Sequence, residues 1–214
     1  MVKAYQLFYD MQSRAKVEPV AEPVDTSAVV QPYFESYWMA TLPIPEKGRM
    51  GVFSPEFRRK ARMPLSRMVA RSVLTKAQVF YITGMTYEMN VWQHGAMMHP
   101  HFFKKSFIVL EEAGLARILR QDSVSIFCNY FLMNVELWHE FREEWLLPVM
   151  RAMDKHKDIV DQPCNYKSSS GHKTEQIQKS TGYPFYTYRP FICERLIGSF
   201  VVDKKLTHEI CRLM

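Results

Sequence analysis

The sequence predicts a mainly α-helical protein. The expected form is an irregular helical domain with an extended, Pro-rich N-terminal arm and a long polar loop before a C-terminal segment. Three observations carry this expectation. Residues 17–55 contain six prolines, which interrupt any long helix there. Apolar residues recur at the helical period between 123 and 153. Residues 154–182 are polar and include the run SSSGHKT.

Taken in order, the opening MVKAYQLFYDMQSRAK reads as a short amphipathic helix. Ala4, Phe8, Met11 and Ala15 fall on one side, and Lys3, Arg14 and Lys16 supply charge. It has no apolar h-region of a secretory signal and bears a faint likeness to an organelle-targeting segment. The arm that follows carries Tyr33, Phe34, Tyr37 and Trp38. A disordered linker would be polar, so these rings are expected to dock on a surface, either the chain's own core or a neighbour's groove.

A helix is expected from Pro64, with Leu65, Met68, Val69, Val73 and Phe80 on one face and Arg67 and Arg71 on another. The β-branched and aromatic run after Lys76 fits that helix poorly. Residues 94–103 read as a turn-rich joint, and 104–121 as helix. The strongest periodicity places Val124, Phe127, Cys128, Phe131, Val135, Trp138, Trp145, Val149 and Met153 on one stripe. Ile126, Tyr130, Met133 and Leu137 point away from it, so the first half of this helix needs cover on two sides. These four residues join the arm's rings as expected partner-docking positions. Pro148 is expected to kink the helix. Pro184 and Pro190 oppose a long helix in YPFYTYRPFICERLIGSFVV, and a last helix is expected after Asp203, carrying Leu206, Ile210 and Leu213. The resulting division is 1–55 N-terminal helix and docking arm, 56–153 helical core, 154–182 surface loop, and 183–214 aromatic segment and helix.

The formal net charge is +6, and it is concentrated. Residues 47–76 hold nine basic residues against the single Glu56, a net +8, while the remainder is slightly acidic. Arg58, Arg59, Lys60, Arg62, Arg67 and Arg71 are therefore expected to contact an anionic partner: lipid headgroups, RNA or an acidic protein surface. No RNA-module signature accompanies them. The longest stretch without Asp, Glu, Lys or Arg, residues 89–103, is too short to span a bilayer. The four cysteines are scattered, with no CxxC, and imply no disulfide framework.

Chemical motifs are sparse. ELWHE holds Glu136 and His139 at the spacing used in di-iron bundles, but no second Glu-x-x-His exists. His94, His99 and His101 match no common zinc pattern, and neither do Cys164 and His172. SSSGHKT departs from a phosphate-binding loop because His172 interrupts the motif. No catalytic residue, metal or cofactor is expected from these motifs. Arg142 lies within the apolar stripe between Trp138 and Trp145, where it must snorkel, stack or pair. The expected function is a non-catalytic accessory subunit of a large complex of the respiratory-chain or ATP-synthase type. Such a subunit would bind other subunits and anionic phospholipid at the mitochondrial inner membrane, without a transmembrane span of its own. An RNA-binding ribosomal-type protein and an enzyme with a non-local site are the alternatives.

Overall fold

Residues 2–8, VKAYQLF, are buried through their centre, and a covered, extended run of this length pairs on both sides. They form β1 (Val2–Phe8), which pairs in parallel with β2 (Glu22–Asp25) on one edge and β3 (Arg49–Phe53) on the other. β5 (Phe131–Asn134) runs antiparallel to β3 and to β4 (Val79–Tyr81), and β6 (His208–Ile210) adds in parallel to β4. The sheet order is β2-β1-β3-β5-β4-β6. Five strands point one way and β5 alone points the other. These elements come from a computed structural model that describes residues 1–83, 90–164 and 174–211.

The helices are α1 (Met11–Arg14), α2 (Glu35–Thr41), α3 (Phe57–Ala61), α4 (Leu65–Ser72), α5 (Val91–Met98), α6 (Phe102–Glu112), α7 (Val135–Glu140), α8 (Leu147–Lys155), α9 (Lys157–Val160), α10 (Thr174–Thr181) and α11 (Arg189–Asp203). Strand alternation divides the core between the two faces of the sheet. Tyr5, Leu7, Met50, Val52, Val79, Tyr81, Phe131 and Met133 pack on one face with Trp138, Phe141, Trp145, Leu196 and Phe200. Ala4, Phe53, Phe80, Tyr130 and Leu132 face the other way, against Phe57 of α3 and Leu65 and Met68 of α4. The sheet is thus covered on both sides.

This architecture corrects the mainly helical expectation: the chain is 50% helical with a six-stranded mixed sheet comprising 13% of residues, an α/β fold. The expected N-terminal helix is strand β1 followed by the single turn α1. The expected helix over 123–153 is broken into an irregular entry, strand β5, α7, a π-helical turn at Phe141–Leu146, and α8. β5 is buried on both faces, and an apolar run of that kind carries no period to separate strand from helix. Residues 79–81, read with the α4 helix, are β4. Residues 208–210, read as the last helix, are β6, and Leu213 lies outside the described residues. The expected joint at 94–103 is α5 and the start of α6.

The remaining local expectations are met in part. A helix does begin after Pro64, although α4 ends at Ser72. The stretch 154–182, expected as one long surface loop, instead holds the end of α8 and the helices α9 and α10 among its described residues, and the SSSGHKT run falls largely outside them. The aromatic segment expected to oppose a long helix through its prolines instead forms α11, 15 residues long: Pro190 occupies its first turn, where its missing N–H costs no helical bond. Pro148 likewise opens α8, directly after the π turn, so the wider turn absorbs the hydrogen bond that proline cannot make. Gly198 lets the backbone of Val124 lie against α11, since a Cβ there would stand 2.1 Å from the Val124 carbonyl oxygen. Among the described residues no helix is long and apolar enough to cross a membrane.

Candidate functional site

With five strands pointing one way, one edge of the sheet gathers the carboxyl ends of β1, β3 and β4 and the residues that enter β5. The chain leaves β1 toward β2, then crosses back to place β3 on the other side of β1. In open α/β sheets the region outside the strands' carboxyl ends at such a reversal is the usual ligand position.

Each segment reaching this edge is fixed locally. After β1, Asp10 caps α1: its carboxylate accepts from the Ser13 N–H at 2.6 Å, and the Ser13 hydroxyl accepts from the Asp10 N–H at 3.0 Å. The Ser13 bonds hold Asp10 below the usual carboxyl range. Fully buried Gln6 ties this turn to β3, bonding the Lys16 and Ser54 carbonyls and the Glu18 N–H. After β3, Glu56 pairs with Lys16 and with Arg59 of α3, the latter at 2.6 Å. The Ser54 hydroxyl lies 2.5 Å from that of Tyr130, which is wholly buried among Phe53 and Phe57.

Besides Arg62 (φ 53°) at the end of α3, three non-glycine residues at this edge have positive φ. Cys128 (φ 50°, ψ 33°) and Asn129 (φ 58°) are consecutive left-handed residues just before β5. Phe34 (φ 51°, ψ −130°) lies at the start of α2, in a region an aromatic residue rarely enters. Its ring stacks on Tyr186, with centroids 5.6 Å apart. Strain of about 1–3 kcal/mol per residue persists only where the surroundings impose it, and it concentrates at functional sites. Buried Asn129 also has a side-chain oxygen without a hydrogen-bond partner.

The charged groups come from separate segments. Glu35 opens α2, Lys60 lies on α3 with its Nζ 3.8 Å from the Cys128 sulfur, and Glu194 projects from α11. Burial pushes the Glu194 carboxyl above its ordinary range; Arg195 opposes the shift, Glu35 reinforces it, and Lys60 and a backbone bond from Cys128 oppose it. Burial likewise raises the Cys128 thiol to about 12, with the Glu194 charge adding to the effect. The Tyr130 hydroxyl is raised well above its ordinary range, again chiefly by burial, with Cys128, Glu35 and Glu194 adding to the rise. Two carboxyl groups, an ammonium, a thiol and a phenol thus share one field.

The expected site residues distribute differently. Arg58, Arg59, Lys60 and Arg62 follow β3 on α3 and its C-terminal turn, beside this edge. Arg67 and Arg71 lie on α4, where both act on the Cys211 thiol, and Arg71 borders a depression with Tyr81, His208 and Glu209 at the β6 edge. Tyr33, Ile126, Tyr130 and Met133 are buried in the chain's own core, while Tyr37, Trp38 and Leu137 are half-buried against it. The second-side cover they require comes from within the chain. Arg142 donates to the carbonyls of Met39 (3.0 Å) and Leu42 (2.6 Å) and so closes the C-terminus of α2.

Glu136 and His139 are exposed, and His172 lies outside the described residues. His99 is buried against Phe191 and bonds the Cys164 carbonyl through Nδ1 at 3.2 Å. Among the described residues no group of three His, Cys, Asp or Glu side chains is arranged to hold a metal. The four cysteines are free.

Sequence reasoning passed over Glu35 and Glu194, and it read Cys128 only as part of an apolar stripe. The available signal was the pair of apolar runs QLFYD and MGVFSPE, each ending in turn-forming and acidic residues. Comparison with protein-family models, curated proteins and solved structures finds no match for this chain.

Proposed function

We propose that the chain is an enzyme acting on a small anionic molecule at the carboxyl edge of its sheet. Glu194 serves as the proton donor or acceptor, with Glu35 as the second carboxyl group. The single observation behind this reading is convergence. Glu35, Lys60, Cys128 and Glu194 arrive from four distant segments, at the strand-order reversal, beside three strained residues. A carboxyl group whose pKa burial raises above its ordinary range suits general acid–base work. The cations of α3 favour an anionic ligand, and the stacked rings of Phe34 and Tyr186 offer an apolar wall.

A thermal-shift panel of phosphate, pyrophosphate, sugar phosphates, nucleotides and dicarboxylates tests this reading. One class, at about 100 times its Kd, is expected to raise Tm by about 5–10 °C, and Lys60→Met to abolish the rise. No saturable shift with any member would contradict it.

A second reading keeps the accessory-subunit role beside the mitochondrial inner membrane. The observation in its favour is an exposed apolar corner between α5 and α6, made by Met97, Met98, Phe103 and Phe107 with exposed Lys104 among them. Binding to vesicles containing cardiolipin, lost in a Met97→Ser/Phe103→Ser variant, supports it. Equal binding by the variant counts against it.

A further inference from the structure

The segment that brings Phe34 and Glu35 to the site is fastened one residue upstream. Tyr33 is 6% exposed and Arg189 is 1% exposed. The Arg189 guanidinium donates through Nε and Nη2 to the two oxygens of Asp161, at 2.5 and 3.0 Å, and through Nη1 to Asp154 at 2.6 Å and to the Tyr33 hydroxyl. The Tyr33 hydroxyl in turn donates to Asp154 at 2.7 Å, with the Met150 carbonyl at 3.2 Å. Tyr183 adds a third donor to Asp161 at 2.6 Å. The guanidinium carbon also sits 5.0 Å from the Tyr33 ring centroid.

This placement is unfavourable for the helix itself. Arg189 is the first residue of α11, where the helix dipole disfavours a cation. Burying a guanidinium also carries a desolvation cost that pairing only offsets. The cluster fixes two things at once: the backbone immediately before strained Phe34, and the start of the helix that bears Glu194 five residues later.

We propose that Tyr33 and Arg189, anchored by Asp161, are positioning residues of the site: they hold Phe34 in its strained conformation and set Glu35 against Glu194. The inference rests on the acid–base reading above. The groups facing Glu194 are Arg195 on its own helix, Glu35 on α2, Lys60 on α3 and Cys128 before β5.

The test is the carbon-13 titration of the Glu194 carboxyl group in the full chain, in wild type, Tyr33→Phe, Arg189→Met and Glu35→Gln, with melting followed in parallel. Removing the Arg189 charge by its field alone moves the Glu194 midpoint upward. Release of Glu35 moves it downward, so the sign separates the two effects. Tyr33→Phe and Arg189→Met are expected to lower the midpoint by most of the shift that Glu35→Gln produces, and Tyr33→Phe to add nothing in the Glu35→Gln background. A midpoint unchanged in Tyr33→Phe, with only Tm reduced, would assign the cluster a purely structural role. Tyr33→Phe keeps the ring and decides the matter if Arg189→Met fails to fold. A wild-type Glu194 that titrates as an ordinary carboxyl group would instead remove the acid–base reading, and this inference with it.

Discussion

Glu194 costs the fold stability at the pH where it would be useful. Its folded pKa is raised, so the native state binds the proton more tightly than the unfolded chain does. Its destabilising effect is absent below the unfolded carboxyl pKa and grows as pH rises through the folded one. Glu194→Gln keeps the shape and removes the charge. The variant is expected to be more stable than wild type at pH 8 by about 1 kcal/mol, about 2–4 °C in Tm, with no gain at pH 4. A loss at pH 8 would show that the charged form is the one the fold stabilises. His99 has the opposite dependence. Burial lowers its pKa to about 4, so it stays neutral while the unfolded histidine protonates. Stability is therefore lost as pH falls from about 6.5 to about 4, by about 3 kcal/mol. His99→Phe is expected to flatten that part of the urea-midpoint profile relative to wild type.

At the scale of elements, α2 is short, and its C-terminal carbonyls are satisfied from another part of the chain by Arg142. Arg142→Ala leaves those carbonyls unpaired by protein. It is expected to cost about 2 kcal/mol, or about 4–8 °C in Tm, from the loss of two charge-assisted bonds. A melting temperature within a degree of wild type would show that water replaces the guanidinium without penalty. The sequence correctly marked Arg142 as anomalous within an apolar stripe, and it marked the double-sided cover around 126–137. It could not show that the cover is a sheet. β4 and β6 have three residues each, too few to display a period. β1 is buried at four consecutive positions, so the alternation expected of a strand is masked. The helix after Pro64 was legible because its cue, a proline at the helix start, is local. Sheet order depends on pairings between residues as far as 129 positions apart, as with Val79 and His208, and no local window contains them.

At the scale of the whole molecule, the sheet draws its first strand from residues 2–8 and its last from 208–210, so the chain's two ends belong to one structure. The arm's aromatic residues lie on the chain's own core, which removes the need for a neighbour to cover them. The purified chain is accordingly expected to unfold as one cooperative unit, with a urea transition that coincides by tryptophan fluorescence and far-UV circular dichroism. Two separated transitions would point to independently folding parts. The candidate site was illegible for the same reason as the sheet. Residues 34–35, 54–60, 128–130 and 194 meet only once strand order is known, whereas the concentrated charge around Arg58–Arg62 was visible at once. That charge read as a surface for lipid or RNA because nothing in the linear sequence places it at a strand end. The most direct measurement of the proposed site is the pH titration of the Glu194 carboxyl carbon in the intact protein, assigned by its disappearance in Glu194→Gln. A half-buried acid sharing its field with Glu35 titrates above the ordinary glutamate range and moves down in Glu35→Gln. A midpoint in the ordinary range, unmoved by Glu35→Gln, would contradict a proton-handling site at this edge of the sheet.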